Sequence, residues 1–241
     1  MFSPISTRYE NLPRELPIFP ITGAVLLPGG RLPLNVFEPR YLNLCLDALS
    51  AGRLFGVVQP NYDAAGHPLD DAIYDQADNE NVELDIEEYE ETPLYKTGCI
   101  GRIVYFEETE DSRLLIALRG LSRFHVLEEL DGIKGYRQVR VDYAPFAHDM
   151  EPPGKINLDR TALFKALQPY VDAQDMQLKI DIIKGLKDHT LISSLCMICP
   201  FDPREKQALL ECKTIEDRAE MLLALLQMGV FGTGQVDVTR Q

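Results

Sequence analysis

At Ala144 the hydrophobic rhythm of this 241-residue chain changes. Before it, apolar residues alternate or come in short runs, as strands require. Beyond Asn157 they recur every three or four residues, as helices require. The stretch between, APFAHDMEPPGKIN, is rich in Pro, Gly and polar residues and marks a boundary. The expected fold class is α+β. A β-rich, barrel-like subdomain with one or two helices would occupy 1–147, a helical bundle 148–229 and a flexible tail 230–241.

The opening segment argues for curvature. Leu16–Tyr41 (LPIFPITGAVLLPGGRLPLNVFEPRY) holds five prolines and three glycines. Proline cannot donate to a β-ladder, so these runs belong at edges, strand starts or bulges. Short strands cornered by Pro and Gly suit a curled sheet or barrel. Leu16–Pro20, Val25–Leu27 and Leu32–Phe37 are the candidate strands here, with Pro28-Gly29-Gly30 as a turn. A helix is expected from Pro39, carrying Tyr41, Leu42, Cys45, Leu46 and Leu49 and stopping at Gly52. Further strands are expected at Leu54–Val58, Thr97–Phe106, Arg113–Leu118 continuing through Gly120 into Ser122–Leu127, and Gly135–Tyr143. Gly98, Gly101 and Gly120 are read as bend points.

Five helices are expected after the boundary. Asn157 or Asp159 caps the first, which carries Leu163, Phe164, Leu167 and Tyr170. A second carries Met176 to Ile183, and a third is Leu191–Cys199. Asp202-Pro203 starts Arg204–Glu211. Thr214-x-x-Asp217 resembles a capping box for Ile215–Met228, with Gly229 as its stop.

Charge narrows the partners. The formal net charge is −14, so phosphate backbones and anionic membrane surfaces are repelled. Twelve acids fall between Asp63 and Glu91, with no Lys or Arg from Arg53 to Lys96, which reads as a solvated loop. No signal-peptide pattern and no membrane-length apolar run are found. Five scattered cysteines suit a reducing compartment, and a cytoplasmic protein is the expectation.

Chemistry is sparse. The chain has no phosphate-binding Gly-x-x-x-x-Gly-Lys-Ser/Thr loop, no strand followed by Gly-x-Gly-x-x-Gly, and no nucleophile elbow. His67, His125, His148 and His189 show no metal-ligand spacing. Cys196-Met197-Ile198-Cys199 is the one thiol pair. It sits at the end of an apolar helix, where the dipole opposes thiolate formation, and lacks the ligands of a zinc site. Core packing is its bland reading, metal or redox use the sharp one. Arg102, Arg113, Arg119, Arg123, Arg137 and Arg140 cluster in the strand region. They read as solvated strand faces, or as a basic groove for an acidic peptide or an RNA end.

Several blocks resemble one family. Leu16-Pro17-Ile18-Phe19-Pro20, Val25-Leu26-Leu27-Pro28-Gly29 and Leu32-Pro33-Leu34 look like the opening of the N-terminal domain of Lon protease. Gly98-x-x-Gly101-Arg102-Ile103, Leu114–Phe124 (LLIALRGLSRF) and Arg137–Val141 continue the likeness. The helical end, Pro203-x-x-Lys206-Gln207 and Arg218-x-x-x-Leu222-Leu223, is similar too. The likeness spans about Leu16 to Met228. It implies a PUA-like barrel with a helical bundle. It also implies a non-catalytic, free-standing module that binds polypeptide or unfolded-protein clients, with a protease as a further partner and no cofactor. Phe37, Glu38, Arg40, Tyr41, Arg102, Arg119 and Arg123 are the candidate binding residues, with an apolar patch expected around Phe37, Tyr41 and Met197. The competing readings are thiol or metal chemistry at Cys196 and Cys199, and RNA binding by analogy of fold. Oligomeric state is not legible.

Overall fold

The computed structural model describes residues 8–61, 92–152 and 154–232. The acidic loop and most of the expected tail therefore lie outside the described residues. Six strands form one mixed sheet: β1 (Glu15–Pro20), β2 (Arg31–Val36), β3 (Leu54–Val58), β4 (Thr97–Glu108), β5 (Leu114–Ile133) and β6 (Tyr136–Asp142). Their order is β2-β5-β4-β3-β1-β6, and β6 pairs again with the far half of β5, so the sheet curls onto itself. β1 and β3 run parallel, joined through β2 and helix α1 (Pro39–Ser50), and every other pair is antiparallel. The fold class is α+β, as expected.

Val25–Leu27 differs from the expectation. It is a buried loop, not a strand. The backbone just after it meets β5 instead: Gly29 N–H donates to Gly120 O (2.9 Å) and Gly120 N–H to Gly30 O (3.0 Å). Gly120 is therefore a crossing point. A Cβ there would collide with the Leu27 carbonyl. Gly98 and Gly101 serve similar ends, since a Cβ would lie 2.7 Å from the Phe124 ring or from Leu26. Of the three, only Gly101 lies at a register shift of the ladder, between Ile100 and Gly101. Gly29, at φ +75°, closes the expected turn, with Gly30 N–H on Leu27 O.

Strand alternation divides the core in two. Ile18, Val58 and Ile100 join a cluster around Phe124, Val139 and Tyr143. Their chain neighbours Phe19, Val57 and Cys99 join a larger cluster on the other face. That second cluster runs on through Tyr41 and Leu44 of α1 into the helices, to Leu167, Leu195, Leu209 and Leu222.

Those helices are α2 (Arg160–Ala173), α3 (Ile180–Lys184), α4 (Asp188–Ile198), α5 (Pro203–Glu211) and α6 (Ile215–Gly232). The caps fall where the sequence puts them. Asp159 accepts from Ala162 N–H, Asp202 and Glu205 form a reciprocal box, and so do Thr214 and Asp217. Helix α3 is shorter than expected. Helix α6 passes through Gly229, which is no stop: its bare Cα makes room for the Tyr170 ring. Side chains pin the helices to the sheet. Gln59 Nε2 donates to Pro203 O (2.9 Å), Gln207 Nε2 to Thr97 O (3.1 Å), and Lys206 Nζ to Gly23 O (2.7 Å). Among the described residues no helix is long and apolar enough to cross a membrane.

Candidate functional site: an exposed sheet face

Where β2, β5 and β4 run side by side, the described residues cover only one face of the sheet. Leu32, Leu34, Val36, Leu114, Ile116, Leu118 and Ile103 point to the large core. The intervening residues point away from it, because side chains alternate along a strand. The strand registers align them in three rows. Arg31 opposes Arg119, which opposes Arg102. Pro33 opposes Ala117, which opposes Tyr105. Asn35 opposes Leu115, which opposes Glu107. A register shift between Ile103 and Tyr105 leaves Val104 exposed beside the middle row. Tyr105 and Leu115 are 51% and 38% exposed.

Phe37 follows β2 at the far end of these rows and is 59% exposed, with the Arg113 guanidinium 5.7 Å from its ring centre. The result is a face with apolar side chains at one end and a line of arginines at the other. Tyr105 Oη donates to Glu107, and that hydrogen bond raises the phenol above its ordinary range. β2 is an edge strand, and Pro33 interrupts its free edge.

The sequence candidates separate on this frame. Phe37, Arg102 and Arg119 lie on the exposed face or its border. Glu38 and Arg40 pair with each other at the start of α1 (2.6 Å). Tyr41 is not part of an apolar patch: it is buried, its ring 4.1 Å from that of Phe19. Alternation at helical spacing turns it inward while Phe37, still in the strand phase, turns outward. Met197 likewise packs against Gly30.

Arg123 departs most from the expected solvated strand face. Its side chain is 2% exposed and doubly bonded to Asp149 (2.8 Å from Nε and from Nη2). It also donates to Leu210 O and Cys212 O, and lies over the Phe146 ring. The guanidinium ties the barrel to α5, and no donor-rich face remains for a ligand. Arg137 and Arg140 are paired to Glu129 and to Glu15 and Glu128.

Cys196 and Cys199 are fully buried, and burial pushes each thiol up to about 12. Both are neutral thiols near pH 7. Among the described residues no three His, Cys, Asp or Glu side chains gather in a metal-binding group.

Arg31, Tyr105 and Leu115 were not singled out from the sequence. Each stands in an alternating run, but the register that sets Arg31 against Arg119 is a long-range property.

The chain is similar to known proteins over most of its length. The sequence model of one family, the ATP-dependent protease La (LON) substrate-binding domain, matches residues 15–228. Lon protease 2 of Myxococcus xanthus is 28% identical over 223 residues, covering 90% of this chain. Lon protease of Parabacteroides distasonis is 26% identical over 224 residues, also 90% of the chain. The chain spans 24% of the length of each of these relatives. Among solved structures, the Lon N-terminal domain protein from Xanthomonas campestris aligns with a TM-score of 0.52 at 25% identity, covering 87% of this chain and 97% of that one. The N-terminal domain of Mycobacterium avium complex Lon protease shares the fold, with a TM-score of 0.50 at 14% identity over 88% of this chain and 97% of that one. The chain belongs to the LON substrate-binding domain family.

Proposed function

We propose that this protein is a polypeptide-recognition module that holds unfolded or extended segments on the β2–β5–β4 face and does no chemistry itself. The observation that carries the reading is the exposed group Phe37, Val104, Tyr105 and Leu115 on neighbouring strands. Single exposed apolar residues are ordinary, but contiguous ones on a flat face mark binding surfaces. Membership of a substrate-binding family supports the same reading. Association with a protease follows as a proposal from that family. A reducing, cytoplasmic setting is proposed from five free, buried thiols.

The test is binding of a permanently unfolded polypeptide whose cysteines are blocked with iodoacetamide. Leu115→Asp and Tyr105→Asp each place a charge on the face without touching the core. Each is expected to weaken binding by about tenfold, the order of one lost buried apolar anchor. Failure of the unmodified protein to bind, or unchanged affinity in both variants, defeats the reading.

A further inference from the structure

We propose that the free edge of β4, Val104–Glu108, takes an extended segment as an added antiparallel strand, and that the segment carries two basic residues followed by apolar ones. The inference rests on the polypeptide-recognition reading and adds the binding mode and the class of segment.

The edge is open on the side away from β5. β3 pairs with β4 only as far as Arg102, and Arg53 O accepts the Ile103 N–H. Among the described residues no backbone pairing is formed on that side of Val104–Glu108. In an antiparallel ladder, alternate residues turn both backbone groups towards the partner strand. Gly120 bonds through both groups to Gly29 and Gly30, on the β2 side, and Thr109 N–H donates to Arg113 O. By alternation Ala117 and Leu115 turn towards β4, and their partners Tyr105 and Glu107 turn towards β5. Phe106 and Glu108 therefore turn their N–H and C=O groups outward. The two edges of the β2–β5–β4 ribbon are unlike. Pro33 interrupts β2, whereas Val104–Glu108 holds neither proline nor lysine, the residues that commonly block an edge.

The side chains along this edge select the partner. Val104, Tyr105 and Phe106 are exposed, and Glu107 and Glu108 follow, exposed as well. No Lys or Arg stands between Arg102 and Arg113. Asp111 pairs with Arg113, but among the described residues Glu107, Glu108 and Glu110 form no ion pair. Residues directly opposed across strands stabilise the pairing when they are both apolar or of opposite charge. An antiparallel segment meets Glu108 and Glu107 first, where Lys or Arg fits, and then Phe106, Tyr105 and Val104, where apolar residues fit. Five residues give about 17 Å of edge. A second copy of this chain fits less well. Two β4 edges paired about Phe106 set Val104 against Glu108 and bring together two bodies of charge −14.

Fluorescence anisotropy on the full chain decides it. The probe is a labelled peptide with a Lys-Lys-Val-Phe-Val core. One counterpart has glutamates for the lysines; two others carry backbone N-methyl groups at alternate residues, in one register or the other. N-methyl groups aimed at β4 remove hydrogen bonds, while those one residue along point to solvent. One register is expected to weaken binding by at least about tenfold and the other to stay within about twofold. The glutamate peptide is expected to bind about tenfold more weakly, with the gap closing in high salt. Glu107→Lys combined with Glu108→Lys, both at the surface, is expected to invert that preference, with circular dichroism reporting folding. Equal effects of the two registers overturn strand addition, and equal binding of the lysine and glutamate peptides overturns the class of segment. No peptide binding while the unfolded polypeptide still binds removes the edge site alone; failure of both removes both readings. A concentration-dependent dimer in sedimentation that Phe106→Lys dissolves gives the edge to a second copy and overturns the proposal.

Discussion

Arg123 shows how much a single side chain can hold. It is almost fully buried, and its guanidinium joins Asp149, the end of α5 and an aromatic ring. Removing one partner of a buried pair strands the other charge. Arg123→Met is expected to cost about 3–5 kcal/mol in urea denaturation, whereas the same change at exposed Arg119 is expected to stay within about 0.5 kcal/mol. Gly120 makes a second test. Gly120→Ala drives a methyl into the Leu27 carbonyl and is expected to cost upwards of about 2 kcal/mol. Gly154 faces open space at an ordinary φ, so Gly154→Ala is expected to be neutral or slightly stabilising. The sequence sets Gly120 in a strand and Gly154 in the boundary stretch but does not show the clash at Gly120. The clash comes from the crossing of the Leu27–Gly30 backbone over β5, a contact between residues far apart in the chain.

The elements were legible where local chemistry decides them. Asp202-Pro203 with Glu205 spells out a helix start, and the reciprocal hydrogen bonds are present. Asp202→Ala is expected to cost about 1 kcal/mol, read from the shift in thermal midpoint. Elements decided by packing were harder. Val25–Leu27 has the composition of a strand, yet its backbone turns to meet β5 instead of forming a ladder. Gly229 looks like a helix stop, yet α6 continues because the Tyr170 ring occupies the space a side chain would take. The candidate site follows the same division. Arg102, Arg119 and Phe37 could be picked out singly, but their rows depend on registers between strands up to some ninety residues apart in the chain, which no local pattern encodes.

At the scale of the molecule, the two subdomains proposed at 1–147 and 148–229 share one apolar cluster that reaches from Phe19 and Val57 to Leu209 and Leu222. They are expected to unfold together, with tyrosine fluorescence and far-ultraviolet circular dichroism giving one coincident transition. The buried thiols set the alkaline limit. Cys45, Cys196 and Cys199 are pushed by burial from 9.0 to about 12, and Cys99 is raised as well. In the unfolded chain these thiols lose protons from about pH 9, while in the folded chain they keep them. The unfolded state then binds fewer protons, so stability falls as pH rises from about 9 towards 12, by up to about 1.4 kcal/mol per pH unit for each thiol. Lys206, lowered by burial, acts in the opposite sense. Cys212 is raised by burial too, and one amine against five thiols leaves a net loss, which urea titrations at pH 7.5 and 10 are expected to show.

Hydrogen exchange of the protein with and without an unfolded polypeptide tests polypeptide recognition at this face most directly. Protection is expected over Arg31–Val36, Arg102–Glu108 and Leu114–Arg119, with the helices α2 to α6 unchanged. Protection confined to those helices, or none at saturating polypeptide, would contradict it.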